Sequence, residues 1–154
     1  MITFKNMVLN RVKLRFDGLI SLIKDFRRCK ESGFNLALII LKFIYYRLIY
    51  NKHLIIHQKA TLWGVKNIHS IGQIEIGTGY VGFNHRTDKT FLNIKGSLNI
   101  EGNYSIGRGC RFDIGKNAIV TIGRGGYINS NTSVIIRHRL HIGDDCAISW
   151  NCQL

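Results

Sequence analysis

Aliphatic residues recur along the second half of this chain at a nearly fixed step: Ile94, Ile100, Ile106, Ile114, Ile122, Ile128, Val134 or Ile136, Ile142, Ile148 and Leu154. Most steps are six residues, a few are eight, and glycine directly follows Ile106, Ile114, Ile122 and Ile142. A strand alternates with period two and an α-helix with period 3.6, so a step of six fits neither over this length. It fits a coil with three flat sides, each made of a short strand and a corner and each turning one aliphatic side chain inward. Stacked by parallel pairing about 4.8 Å apart, such coils form a solenoid with an expected repeat of about 18 residues.

A second inward position supports this reading. Four residues after each aliphatic stand Leu98, Tyr104, Cys110, Ala118, Gly126, Thr132, Leu140, Cys146 and Cys152, mostly small or apolar. Three of the four cysteines thereby fall at interior corners, where compact core filling explains them. Cys110 and Cys152 are expected on one face two coils apart, about 10 Å and beyond disulfide reach.

Towards the N-terminus the step fades. Ile56, Leu62, Ile68 and Ile74 continue it, while Ile71, Ile76 and Val81 form a competing frame. Residues 82–92 (GFNHRTDKTFL) carry no aliphatic step and predict a polar loop inserted between coils, the usual place for binding groups on a rigid scaffold. Before the solenoid the period changes. Phe4, Val8, Val12, Phe16, Leu19, Ile20 and Ile23, with Lys and Arg between them, predict a basic amphipathic helix. After Gly33, Phe34 to Tyr50 predict a second, buried or interfacial helix; Lys42 and Arg47 interrupt it too soon for a membrane span. The expected organisation is a helical segment over 1–55 and a β-solenoid over 56–154.

Composition sharpens that boundary: the chain has no proline, and 14 of its 16 glycines lie at or after Gly64. The net charge of +13 invites a polyanion reading. Residues 1–58 hold 11 Lys/Arg against Asp17, Asp25 and Glu31, and no nucleic-acid recognition motif accompanies them. No nucleic acid is expected as a partner; peripheral membrane contact through the basic N-terminus is the better expectation. Four cysteines without metal-type spacing, and charges where a signal peptide needs an apolar core, predict cytoplasmic residence, peripheral at the inner face of the cell membrane.

The motif of an aliphatic, often a glycine, two free residues and a small residue resembles the hexapeptide repeat of the left-handed parallel β-helix acyltransferases. The predicted fold class is therefore mainly β, a left-handed parallel β-helix preceded by N-terminal α-helices. The helical lead, the polar loop and the closing Ile142-Gly143-Asp144-Asp145-Cys146-Ala147-Ile148-Ser149-Trp150-Asn151-Cys152 are similar to acetyltransferases of bacterial capsule, exopolysaccharide and O-antigen clusters. The resemblance implies acetyl transfer from acetyl-CoA to the hydroxyl of a sugar or lipid-linked saccharide, in a homotrimer whose sites form between subunits, with no metal. In those proteins an Asp-Thr-Asp-x-His segment with the general base follows the Ile-Ser-Trp corner. That histidine is expected beyond Leu154, so the chain reads as truncated and no catalytic residue is assignable within it.

None of the six histidines sits in that context. Asn84 and His85 of the polar loop are candidate contacts to the acceptor sugar. Trp150 and Asn151 are candidates for the edge of the cleft, with Trp150 expected to face outward two residues past inward Ile148. His138 and His141 are expected to point to solvent, with no third ligand for a metal. Arg124, Arg137 and Arg139 read as solvated charges or contacts to CoA phosphates, and Gly123-Arg124-Gly125-Gly126 as a widened corner. The alternative to an enzyme is a non-catalytic solenoid serving as a trimerisation or membrane-surface binding module.

Overall fold

The computed structural model describes residues 35–78, 85 and 87–154, so the basic stretch predicted over residues 4–29, Val81 and candidate Asn84 lie outside the described residues. One helix, α1 (Leu36–Tyr50), precedes strands that form three all-parallel sheets. The first sheet stacks β1 (Leu54–Ile56), β4 (Ile74–Ile76), β7 (Tyr104–Ile106), β10 (Tyr127–Ile128) and β13 (Ala147–Ile148). The second stacks β2 (Ala60–Trp63), β5 (Thr90–Ile94), β8 (Arg111–Ile114) and β11 (Ser133–Ile136). The third stacks β3 (Ile68–Ser70), β6 (Ser97–Ile100), β9 (Ile119–Ile122) and β12 (Arg139–Ile142). The chain visits the sheets in rotation, which is a parallel β-helix of four coils and the start of a fifth; Ser133 bridges Gln153 there.

The inward aliphatics are where the step of six places them. Ile94, Ile100, Ile106, Ile114, Ile122, Ile128 and Val134 are buried, as are Leu98, Tyr104, Cys110 and Ala118 at the second inward position. Each fully buried aliphatic side chain stabilises the fold by about 1.5–3 kcal/mol relative to exposure, so the column supplies most of the driving force. Leu154 is exposed and Ile148 only half-buried, since among the described residues no coil stacks on them. At the N-terminal end Ile56, Leu62 and Ile68 of the first coil and Ile74 of the second are buried while Ile71 is exposed. The competing frame fails at Ile71 but holds at Ile76, because β4 turns both Ile74 and Ile76 inward.

Two expectations need correction. Regular coils hold 20 or 22 residues rather than 18, with Ile94 paired to Ile114 and Ile100 to Ile122, and the coil with the insertion holds 30, from Ile74 to its partner Tyr104. The eight-residue steps record four-residue corners, residues 107–110 before β8 and 115–118 before β9, whereas the equally long β6 follows a two-residue corner and keeps the step of six. The loop predicted over residues 82–92 also ends too late. Thr90, Phe91 and Leu92 belong to β5, and the insertion lies at the corner between β4 and β5, inside the second coil rather than between coils.

Helix α1 covers the open N-terminal end of the solenoid. Its Ile39 and Phe43 pack on Ile55, the outward side chain of β1, while Tyr46 and Tyr50 pack against the main core. Lys42, which interrupts the apolar run, donates from Nζ to the carbonyl oxygens of His57, Gln58 and Ala60 at 3.1, 3.1 and 2.9 Å. Lys52 Nζ donates to the carbonyl of Ile68. Among the described residues no strand lies on the outer side of the first coil to donate to these carbonyls, and two ammonium groups do so instead. No helix among the described residues is long and apolar enough to cross a membrane.

Candidate functional site

A β-helix with three sides has three edges, and one of them differs from the others. The corners leading from the first sheet to the second hold residues 57–59, 77–89, 107–110, 129–132 and 149–152 in successive coils. The buried polar side chains among the described residues, His57, Thr78, Thr90, Arg108, Ser130 and Thr132, all belong to this edge or adjoin it. Elsewhere the interior is apolar apart from the Tyr104 hydroxyl. Buried polar groups cost free energy unless bonded, so this concentration marks the edge as built to a different rule.

The insertion of the second coil sits on this edge, between Thr78 and Thr90. Its described part is tied down. Asp88 accepts the His85 backbone N–H at 2.7 Å, and the Asp88 N–H donates to the His85 carbonyl at 3.0 Å. From the next coil Arg108, almost fully buried, has its guanidinium destabilised by burial and supported by the charge of Asp88. Thr90 Oγ1 accepts the N–H of Gly109 at 3.0 Å, so the end of the insertion is stitched to the third coil.

Two histidines flank this anchor with different chemistry. His57, 3% exposed, has its pKa lowered to about 4 by burial first, then by the charges of Arg108, Lys42 and Lys59. Its Nδ1 accepts the Lys59 backbone N–H at 3.2 Å, so the neutral ring carries its proton on Nε2. His57 is thus a neutral donor beneath the edge and a poor base. His85 is exposed on the insertion, and its Nδ1 faces the Thr87 hydroxyl at 2.7 Å and accepts the Thr87 N–H at 3.3 Å. That arrangement again leaves the proton on Nε2, which presents a donor outward, suited to a hydroxyl or carbonyl oxygen.

Trp150 and Asn151 lie on the same edge, in the fifth coil. His85 and Trp150 are three coils apart, about 14 Å along the axis, so the fold aligns them on one edge without bringing them into contact. Trp150 is half-buried with its indole nitrogen out of solvent, not the outward-facing ring expected from its offset. Thr132 holds the surrounding turn: its hydroxyl donates to the Ser149 carbonyl at 3.0 Å and accepts the Cys152 N–H at 3.3 Å. Asn151 has φ 55 and stacks over Asn131 (φ 61) and Gly109 (φ 78) in the two preceding coils. The edge repeats one left-handed turn residue per coil, and Asn tolerates that conformation better than other side chains.

The remaining singled-out residues serve structure. Cys110 is buried, its thiol pushed up to about 11 by burial, and its Sγ donates to the Asn129 carbonyl at 3.1 Å, which fits core filling rather than nucleophilic chemistry. Cys110, Thr132 and Cys152 occupy one column, with Thr132 between the two free thiols. His138 and His141 are exposed, as their flanking of Leu140 predicts. Arg124 pairs with Asp144 at 2.9 Å and Arg137 with Asp113 at 2.8 Å, so each bonds a carboxylate of a neighbouring coil. Sequence reasoning missed His57, Thr78, Thr90, Arg108 and Ser130. Their one visible signal was a polar residue one or two positions from an inward aliphatic, recurring at the same corner of successive coils.

No protein-family model matches the chain, and no solved structure matches it. It is similar to a Klebsiella pneumoniae protein described as an uncharacterized 24.8 kDa protein in cps region, 26% identical over 149 residues. The match covers 96% of this chain and spans 64% of that protein's length.

Proposed function

We propose that the chain serves surface polysaccharide biosynthesis as an O-acetyltransferase. The similarity to a protein of a cps, or capsule, region supports the polysaccharide setting. The observation that carries the proposal is the gathering of buried polar side chains on one edge of an otherwise apolar β-helix, beneath the polar insertion that bears His85. In this reading acetyl-CoA and a saccharide hydroxyl meet along that edge, with further copies of the chain in a homotrimer completing the site. The sugar oxygen attacks the thioester carbonyl, the new C–O bond forms as the C–S bond breaks, and the hydroxyl proton ends on the departing thiolate. His85 Nε2–H contacts the acceptor, and Arg108 and Asp88 hold the loop that carries it. The resemblance implies that a histidine after the Ile-Ser-Trp corner accepts the proton.

Incubation with acetyl-CoA and capsular oligosaccharides, followed by thiol release and mass spectrometry of the saccharide, tests this. Acetyl ester formation, reduced at least about tenfold in His85→Ala, is the expected result. Failure of every saccharide to gain an acetyl group, together with no calorimetric binding of acetyl-CoA, would overturn it. A non-catalytic binding or trimerisation module is the second reading. It is favoured by the state of His57 and His85, both of which hold their proton on Nε2 and so offer donors rather than bases.

A further inference from the structure

Helix α1 is apolar on both sides, yet only one side meets the solenoid. Ile39 is fully buried against β1, while Leu38, Leu41, Ile44, Tyr45, Leu48 and Ile49 stand 45–76% exposed on the other side. Helices that are apolar all round are normally covered on all sides, and a contiguous exposed patch of this kind marks an interaction surface. Trp63 and Ile71, at 60% and 85% exposure, add further apolar surface in the first coil.

The charge around this end of the molecule identifies the partner. Between Glu31 and Glu75 the chain contains no acidic residue but holds Lys42, Arg47, Lys52, Lys59 and Lys66. Lys42 and Lys52 are engaged by backbone carbonyls, and Arg47 and Lys66 are exposed. A second copy docking here would set one acid-free cationic surface against another, which like-charge repulsion opposes. A surface of anionic lipid headgroups complements the cations while its acyl boundary accepts the leucine and isoleucine side chains.

We propose that the outer face of α1 is a peripheral membrane-binding surface that seats the N-terminal end of the β-helix on an anionic bilayer. The seat is a built part of the described fold, distinct from the basic stretch before it, and it stands independently of the acetyl-transfer reading. The helix lies along the interface rather than across it, with Leu41 and Leu48 as its most immersed side chains.

The test is co-sedimentation of the full chain with vesicles of phosphatidylcholine alone and of phosphatidylcholine mixed with phosphatidylglycerol. Binding to the mixed vesicles, weakened by salt, is expected. The Leu41→Ser/Leu48→Ser variant should bind at least about tenfold more weakly, and Lys66→Glu about fivefold more weakly. Both leucines are largely exposed, so an unchanged thermal melt is the control for folding. Absence of vesicle binding would overturn the proposal. So would undiminished binding by the double serine variant, which would move the contact to the basic N-terminal stretch. A concentration-dependent oligomer that the same variant dissociates would assign the face to a second copy instead.

Discussion

Lys42 Nζ donates to the carbonyl oxygen of His57 at 3.1 Å, so the cation that closes the open edge of the first coil also stands beside an imidazole that must stay neutral. End-capping and the candidate site are therefore joined through one side chain. Replacing Lys42 by Met keeps the stem and removes three hydrogen bonds at once. Because the carbonyls of His57, Gln58 and Ala60 regain only part of their solvation, a loss of about 2 kcal/mol is expected, measured by urea denaturation.

The pH dependence of stability follows from His57. Its pKa is about 4 in the folded chain against 6.5 for an unperturbed histidine, so the unfolded state binds the proton first. The stabilisation is fully present above pH 6.5 and is lost as pH falls towards 4, where the folded protein begins to protonate too. The loss approaches a limit on the order of 3 kcal/mol. Thermal melts between those pH values should show the decline, and His57→Asn, whose Oδ1 can accept the Lys59 N–H, should flatten it. An equally steep decline in the variant would assign the dependence to other groups.

A Cβ at Gly126 would come within 2.3 Å of the Cys146 carbonyl oxygen and 2.9 Å of Tyr104 Cε2. Gly126 thus makes room for the Tyr104 ring between the third and fourth coils. Gly126→Ala is expected to cost about 1–3 kcal/mol through overpacking. Adding Tyr104→Leu should recover only part of it, because the backbone oxygen cannot move aside. A double-mutant denaturation series measures both.

Thr132→Val keeps the shape of a fully buried side chain but leaves the Ser149 carbonyl and the Cys152 N–H without their partner. A loss of about 1–3 kcal/mol is expected. The effect should concentrate in the turn around Trp150. In a Trp63→Phe background, Trp150 fluorescence should shift to the red and become more accessible to a quencher while the rest of the coil keeps its circular dichroism.

Much of the architecture was written in local pattern. The isoleucine step placed most of the inward column, and even the coil length was available by adding three consecutive steps, since 6, 6 and 8 give the Ile94 to Ile114 pairing. The corner from Ile148 to Cys152 could be located from its motif alone. His85 stood out because an exposed polar insertion in a regular repeat has no structural reason of its own. His57 and Arg108 did not, because a polar residue beside an aliphatic one reads as solvent-facing until neighbouring coils bury it.

The sequence by itself determined the repeat, the inward side chains and the change of rule near residue 55, because each depends on spacing within one or two turns of chain. Only the tertiary structure decided that His57, Asp88 and Arg108 gather on one edge, since parallel stacking unites residues 20 to 31 positions apart in sequence. It also decided the fate of Lys42. A charge that looked like an interruption of an apolar helix became its anchor, because its ammonium donates to three carbonyls of the first coil.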